Sequence, residues 1–257
     1  MLSFIVILCT LGIIIADPIS HSREQKKPRF GITEGDAAVI ENHPFQINIE
    51  VDSKGACSGS IISEQYIITS GGCADIVKRF PNNTVVRSGS SHTGRDGTEH
   101  YIDQIITNED LGGAAISLMR VQTPFRFDRT HKAIPLYGQD EEITTGSVGV
   151  VTGWGTTKDD IHDKNDQLYQ INMTVLDDKV CRKEYGLIYD NRIMICAMND
   201  EHRGKDICWG DAADPLVIDK RLAGFAIGKK KLCTGTTPVI YTKVAHYHDW
   251  IKENIQQ

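Results

Sequence analysis

Between positions 45 and 243 the chain is a succession of short β-type runs broken by turn residues, and that rhythm leaves few folds open. The runs cover residues 45–51, 66–69, 101–107, 116–121, 148–152, 168–175, 224–228 and 238–243. Gly, Asn, Asp and Ser gather between them, as at Asp52-Ser53-Lys54-Gly55 and Gly94-Arg95-Asp96-Gly97. Gln46-Ile47-Asn48-Ile49-Glu50-Val51 alternates polar and apolar side chains, the mark of a strand with one buried face. An all-β sandwich or a pair of barrels follows. The tail differs, because Val244, Tyr247, Trp250, Ile251 and Ile255 recur at helical spacing and predict an amphipathic C-terminal helix packed on the barrels. With 257 residues and 40% apolar content, the chain carries enough material for a sizeable core.

Residues 1–16 are uncharged and almost continuously apolar, with small Ala16 where a signal peptidase would cut before Asp17. A membrane anchor is the competing reading, but the run falls short of the roughly 20 residues a spanning helix needs. Removal of this leader takes Cys9 with it and leaves Cys57, Cys73, Cys181, Cys196, Cys208 and Cys233, an even set that fits three disulfides in a secreted chain. Counting does not choose among the pairings. No pair has the C-x-x-C spacing of a zinc site, and neither a metal nor a cofactor is expected. Asn82-Asn83-Thr84 and Asn172-Met173-Thr174 are glycosylation sequons suited to the same compartment. The formal charge is −6, and loss of residues 17–31, which carry a net +2, would take it to −8. An acidic body repels a phosphate backbone, so nucleic acid is excluded as a partner, and the basic run at 229–231 reads as a solvated loop.

Five separated segments, in order, resemble the chymotrypsin and trypsin family. Glu41-Asn42-His43-Pro44-Phe45-Gln46-Ile47 looks like its first strand, and Cys57-Ser58-Gly59-Ser60-Ile61-Ile62 like its first-cysteine strand. Tyr66-Ile67-Ile68-Thr69-Ser70-Gly71-Gly72-Cys73 resembles the stretch ending Ala-Ala-His-Cys, and Val151-Thr152-Gly153-Trp154-Gly155 the Gly-Trp-Gly turn. Cys208-Trp209-Gly210-Asp211-Ala212-Ala213-Asp214-Pro215-Leu216 resembles Cys-x-Gly-Asp-Ser-Gly-Gly-Pro. The resemblance implies two six-stranded antiparallel barrels in a domain over 32–257, a break near 125–145, a short prosegment at 17–31, and a cleft between the barrels. It also implies disulfides joining Cys57 to Cys73, Cys181 to Cys196 and Cys208 to Cys233.

Peptide hydrolysis by this family needs a serine oxygen, an imidazole to move its proton, and a carboxylate to orient the imidazole. The resemblance places the imidazole at Gly72, the carboxylate at Ala115 and the nucleophile at Ala212, so all three groups are missing. Gly210 remains of the oxyanion hole, but Ala213 and Asp214 replace two glycines, which implies a distorted turn. Asp206 matches the carboxylate that selects Lys and Arg in trypsin, while Ile227, Lys229 and Val239 stand where the pocket walls should be open. Two arrangements fit: Lys229 reaches Asp206 and fills the pocket from within, or Lys229 points to solvent and Asp206 holds water.

Asp211 matches the aspartate that pairs with the new N-terminus after activation. The corresponding start is Ile32-Thr33-Glu34-Gly35, preceded by Gly31 rather than Lys or Arg, so a trypsin-like cut does not produce it. Triad loss with a filled pocket resembles the inactivated serine-protease paralogues of parasitic mites. That likeness implies a pseudoprotease secreted into the gut lumen, with no membrane association, that binds host defence proteins, complement components above all. A non-catalytic cofactor of an active protease cascade and a residual endopeptidase are the alternatives; oligomeric state is left open.

Overall fold

The computed structural model describes residues 32, 35–108, 116–156, 165–199, 206–208, 210–228 and 233–255. The leader and prosegment lie outside the described residues. In chain order the strands are β1 (Asp36–Ala37), β2 (Gln46–Val51), β3 (Lys54–Ile61), β4 (Tyr66–Ser70), β5 (Thr84–Ser88), β6 (Thr98–His100), β7 (Ile102–Asn108) and β8 (Ile116–Val121). The second half adds β9 (Val148–Gly153), β10 (Tyr169–Val175), β11 (Met194–Met198), β12 (Pro215–Ile218), β13 (Arg221–Gly228) and β14 (Val239–Lys243). Helices are α1 (Gly71–Arg79), α2 (Asp178–Tyr185) and α3 (His248–Ile255), the last entered through a 3-10 turn at Val244–Tyr247.

The strands form two antiparallel sheets. In the second, the order β1-β10-β11-β14-β13-β12-β9 is completed by a β9–β10 ladder, so six strands close into a barrel with β1 added at β10. The first runs β6-β5-β2-β3-β4-β8-β7 and is a half-barrel: no ladder joins its outer strands among the described residues. The fold is therefore all-β with two barrel-like sheets and a C-terminal helix, but the first sheet has seven strands rather than six.

Side chains alternate between faces along each strand, but the single buried face expected for 46–51 becomes two: Gln46, Asn48 and Glu50 of β2 are buried along with its isoleucines, as are Ser117 and Met119 of β8, because neighbouring segments cover both faces. Ile47 and Ile49 of β2, and Ile116 and Leu118 of β8, are fully buried. Gly59 of β3 is required by close approach, since a Cβ there would lie 2.8 Å from the Ile68 carbonyl oxygen. Arg87 of β5 is buried yet paired: it donates to Glu50 at 2.9 Å, to Glu99 at 2.6 Å and to the Asp96 carbonyl at 2.8 Å, tying β2, β5 and β6 together. Ser70 caps α1 by accepting from the Cys73 N–H, and Asp177 caps α2 by accepting from the Lys179 N–H.

One apolar cluster spans both halves. Ile47, Ile67 and Leu118 of the first sheet meet Leu222 and Phe225 of β13, and Val244, Tyr247 and Ile251 of the C-terminal segment pack into the same cluster. A second cluster fills the closed barrel around Val151, Leu216 and Tyr241, and takes in Ile32. Between the halves, the buried Gln46 amide donates to the Thr152 carbonyl at 3.1 Å and accepts from the Thr152 hydroxyl at 2.7 Å. Disulfides join Cys57 to Cys73, Cys181 to Cys196, and Cys208 to Cys233.

Two stability predictions follow from these cross-links. Replacing both Cys181 and Cys196 by Ser opens a 15-residue separation and is expected to lower unfolding free energy by about 3 kcal/mol in urea titration. Gln46→Ala is expected to cost roughly 1–3 kcal/mol for each Thr152 group left unpaired, again read as a shift of the urea midpoint.

Candidate functional site

The corner where β4 becomes α1 contributes one side of the site. Ser70 stops the strand, its Oγ takes the Cys73 N–H at 3.3 Å, and the Cys57–Cys73 disulfide fastens the corner to β3. The other side is the turn at 210–214. There the Ala212 carbonyl accepts from the Ser58 N–H at 2.8 Å, the Ala213 N–H donates to Ala226, and the Ala226 N–H donates back to Asp214. Gly210 takes φ 92° and Ala213 φ 63°. For alanine that left-handed backbone costs about 1–2 kcal/mol, which burial of its methyl in the shared core offsets.

A hollow of about 360 Å³ lies between these two sides, lined by Ser70, Gly72, Cys73, Ala212, Ala226 and Ile227 among others. Gly72 brings no side chain and Ala212 only a methyl. Ser70 Oγ is a helix cap, and none of the histidines among the described residues lines the hollow. Ser117 is fully buried and bonded to Thr107 Oγ1 at 2.9 Å. Ser88 and His100 do meet, at 2.9 Å, but both are buried within the first sheet, and burial lowers the imidazole pKa. Among the described residues no group of His, Cys, Asp or Glu is arranged to hold a metal ion.

Asp206 is buried and held by backbone. Its carboxylate accepts from the Ile207 N–H at 2.9 Å, the Thr234 N–H at 2.9 Å and the Gly235 N–H at 2.8 Å. Val239 is fully buried in the closed-barrel core with Ile207, Ala226 and Tyr241. Lys229 and Ala115 lie outside the described residues. Asn82 is exposed in a turn between α1 and β5, and Asn172 is exposed in the middle of β10, opposite Val150.

Asp211 and Asp214 form a feature that sequence reasoning missed. Ala213 and Asp214, which stand where the family keeps two glycines, have fully buried side chains, and neither lines the hollow. The Gly153-Trp154-Gly155 turn supplies the space. A Cβ on Gly153 would fall 1.8 Å from Asp214 Oδ2, and one on Gly155 would fall 2.2 Å from Asp211 Oδ1. Asp211 accepts from the Gly155 N–H at 2.8 Å and the Cys208 N–H at 2.6 Å. Neither oxygen of Asp214 accepts a well-formed hydrogen bond among the described residues, although the buried Ser58 hydroxyl lies beside it. Two adjacent carboxylates in a dry interior repel, so a shared proton is the arrangement that satisfies both. Burial pushes Asp211 up to about 6, and burial together with the Asp211 charge pushes Asp214 well above the usual carboxylate range. The Asp206 charge adds to the repulsion on Asp211, and burial together with these carboxylates holds the neighbouring Tyr241 phenol well above its usual range, so it stays neutral. The two glycines of the turn were the available signal: each marks a place where something must come close.

Comparison with known proteins settles the class. The trypsin family model matches residues 32–251, and the chain belongs to that family. It is 28% identical to a vitellin-degrading protease of Bombyx mori over 87% of this chain and 85% of that protein. It is 28% identical to trypsin epsilon of Drosophila erecta over 98% and 96% of the two chains. Among solved structures, the scabies mite inactivated protease paralogue S-D1 superposes with a TM-score of 0.78 at 27% identity, covering 88% of this chain and 97% of that one. Mouse neuropsin shares the fold at a TM-score of 0.75 and 23% identity, over 87% of this chain and 100% of that one.

The carboxyl pair makes stability depend on pH in a defined direction. Both folded-state values stand above the ordinary 3.8, so the unfolded chain releases these protons first as pH rises. The stabilisation is complete below about pH 4 and is lost as pH climbs through 6 and beyond. Half-buried His43 and buried His100, whose pKa values are lowered, act in the opposite sense, so the test is a difference between variants. Asp214→Asn is expected to gain roughly 1–3 kcal/mol relative to the parent between pH 4.5 and pH 7.5 in urea unfolding.

Proposed function

We propose that this trypsin-family chain has given up hydrolysis and acts by binding protein. The observation that carries the reading is the hollow between α1 and the 210–214 turn, where Gly72 and Ala212 meet without an imidazole or a free hydroxyl between them. Gly72, Ala115 and Ala212 stand where the family keeps base, orienting acid and nucleophile. Loss of nucleophile or base alone costs on the order of a million-fold in turnover. The specificity side supports the same reading. Asp206, the counterpart of the trypsin selector, is engaged by three backbone N–H groups, and Val239 sits with apolar neighbours where a substrate side chain would have to pass.

A chain whose leader is a signal peptide and whose body carries three disulfides acts outside the cell. The likeness to the inactivated mite paralogue directs the partner towards host defence proteins, with complement components the first to examine. Fluorophosphonate labelling and turnover of fluorogenic Lys and Arg peptides are expected to stay at background for the native protein. They are expected to stay there for the Gly72→His, Ala115→Asp, Ala212→Ser triple variant as well, since on this reading Val239 obstructs the specificity pocket. Efficient cleavage by the triple variant would overturn the account of the pocket. A fall in complement-mediated lysis on adding pure protein is the expected sign of the binding role, and unchanged lysis through every activation route would remove complement as the partner.

A further inference from the structure

The turn at 81–83, which joins α1 to β5, opens onto a groove of about 480 Å³, within the ~300–1,000 Å³ range of sites that hold small ligands. Asn82 lines it on the side of the turn, Tyr101, Gln104 and Gln122 are among the residues of its other walls, and Lys78 and Asp103 border it as well. The two asparagines of this turn are placed differently. Asn83 is committed, its amide donating to Asp52 Oδ1 at 2.6 Å. Asn82 is exposed and makes no hydrogen bond among the described residues. Thr84, the hydroxyl residue of the sequon, is buried at the start of β5 and donates to the Phe80 carbonyl at 2.6 Å, which fixes the turn so that Asn82 faces the groove mouth.

The groove has the chemistry of a sugar platform. Tyr101 is 54% exposed, and an aromatic face of that kind takes the C–H face of a pyranose ring. Exposed amides of Gln104 and Gln122 stand ready for the hydroxyls and acetamide that such a ring carries at its edge.

We propose that Asn82 carries an N-linked glycan whose first N-acetylglucosamine units lie in this groove against Tyr101. The amide nitrogen of Asn82 attacks the anomeric carbon of a lipid-pyrophosphate-linked oligosaccharide: the C1–N bond forms as the C1–O bond to the pyrophosphate breaks, the lipid pyrophosphate leaves with that electron pair, and the displaced amide proton passes to base. The occupant is thus part of the mature chain, covering an aromatic ring that is otherwise open to water. This rests on the secretion reading above, and the test is arranged so that the two fail separately.

Expressed in insect cells behind a heterologous leader, the chain enters the secretory path whether or not residues 1–16 serve as one. Glycopeptide mass spectrometry is expected to find Asn82 occupied; secreted protein with a bare Asn82 overturns the site. Tyr101→Ala is expected to lower the Tm by about 2–4 °C in glycosylated protein and by under about 1 °C in an Asn82→Gln background. Equal losses in the two backgrounds overturn the seating of the sugar on Tyr101, as does an acetyl methyl resonance that shows no ring-current shift relative to free N-acetylglucosamine. Asn172→Gln serves as the control and is expected to leave the Asn82–Tyr101 coupling intact. Failure of the native leader to direct export would count against the secretion reading alone.

Discussion

The two halves of this molecule share one apolar interior, and every other feature depends on that sharing. Leu222 and Phe225 from the closed barrel, with Val244, Tyr247 and Ile251 from the C-terminal segment, are buried against Ile47, Ile67 and Leu118 of the half-barrel. An open sheet cannot hide both its faces by itself, so the half-barrel borrows its cover from the other half. Polar groups trapped at the seam pair across it, as Gln46 does with Thr152, because an unpaired amide in a dry interface costs about as much as the burial around it gains.

That seam is also where the functional geography is decided. The β4–α1 corner belongs to the first half and the 210–214 turn to the second, yet the Ser58 N–H and the Ala212 carbonyl join them at 2.8 Å. The family architecture therefore survives intact around Gly72 and Ala212, which carry nothing that can attack or move a proton. Scaffold and chemistry are separable here because backbone hydrogen bonds and core packing hold the turn, without any need for the side chains of catalysis. The Asp211–Asp214 pair shows the same separation. A second carboxyl occupies the space beneath the Gly-Trp-Gly turn, where burial and the neighbouring Asp211 charge favour its protonated form.

Parts of the fold were legible in advance for a clear physical reason. The bounds of the run at 116–121 are legible because Ile116, Leu118, Met119 and Val121 are apolar and buried, and the helical spacing from Val244 to Ile255 reflects a single stripe laid on the core. Other parts left weak traces. β5 contains Arg87, a charge at a buried position, and reads as polar until Glu50 and Glu99 are known to meet it. α1 begins with Gly71 and Gly72, which are poor helix formers, so its existence rests on the Ser70 cap and on burial of Ala74 and Val77. β6 has only three residues and exists because β5 offers it an edge.

By itself the sequence determined the class of fold and that positions 72 and 212 carry only glycine and alanine, since strand period, ordered motifs and residue identity are local properties of the chain. Only the tertiary structure decided where Asp206, Asp211 and Asp214 direct their carboxyl groups, that Ala213 turns its methyl into the core, and that Asn82 and Tyr101 border one groove. Those are outcomes of segments distant in sequence competing for the same buried volume and the same hydrogen-bond donors, and no local pattern records who wins.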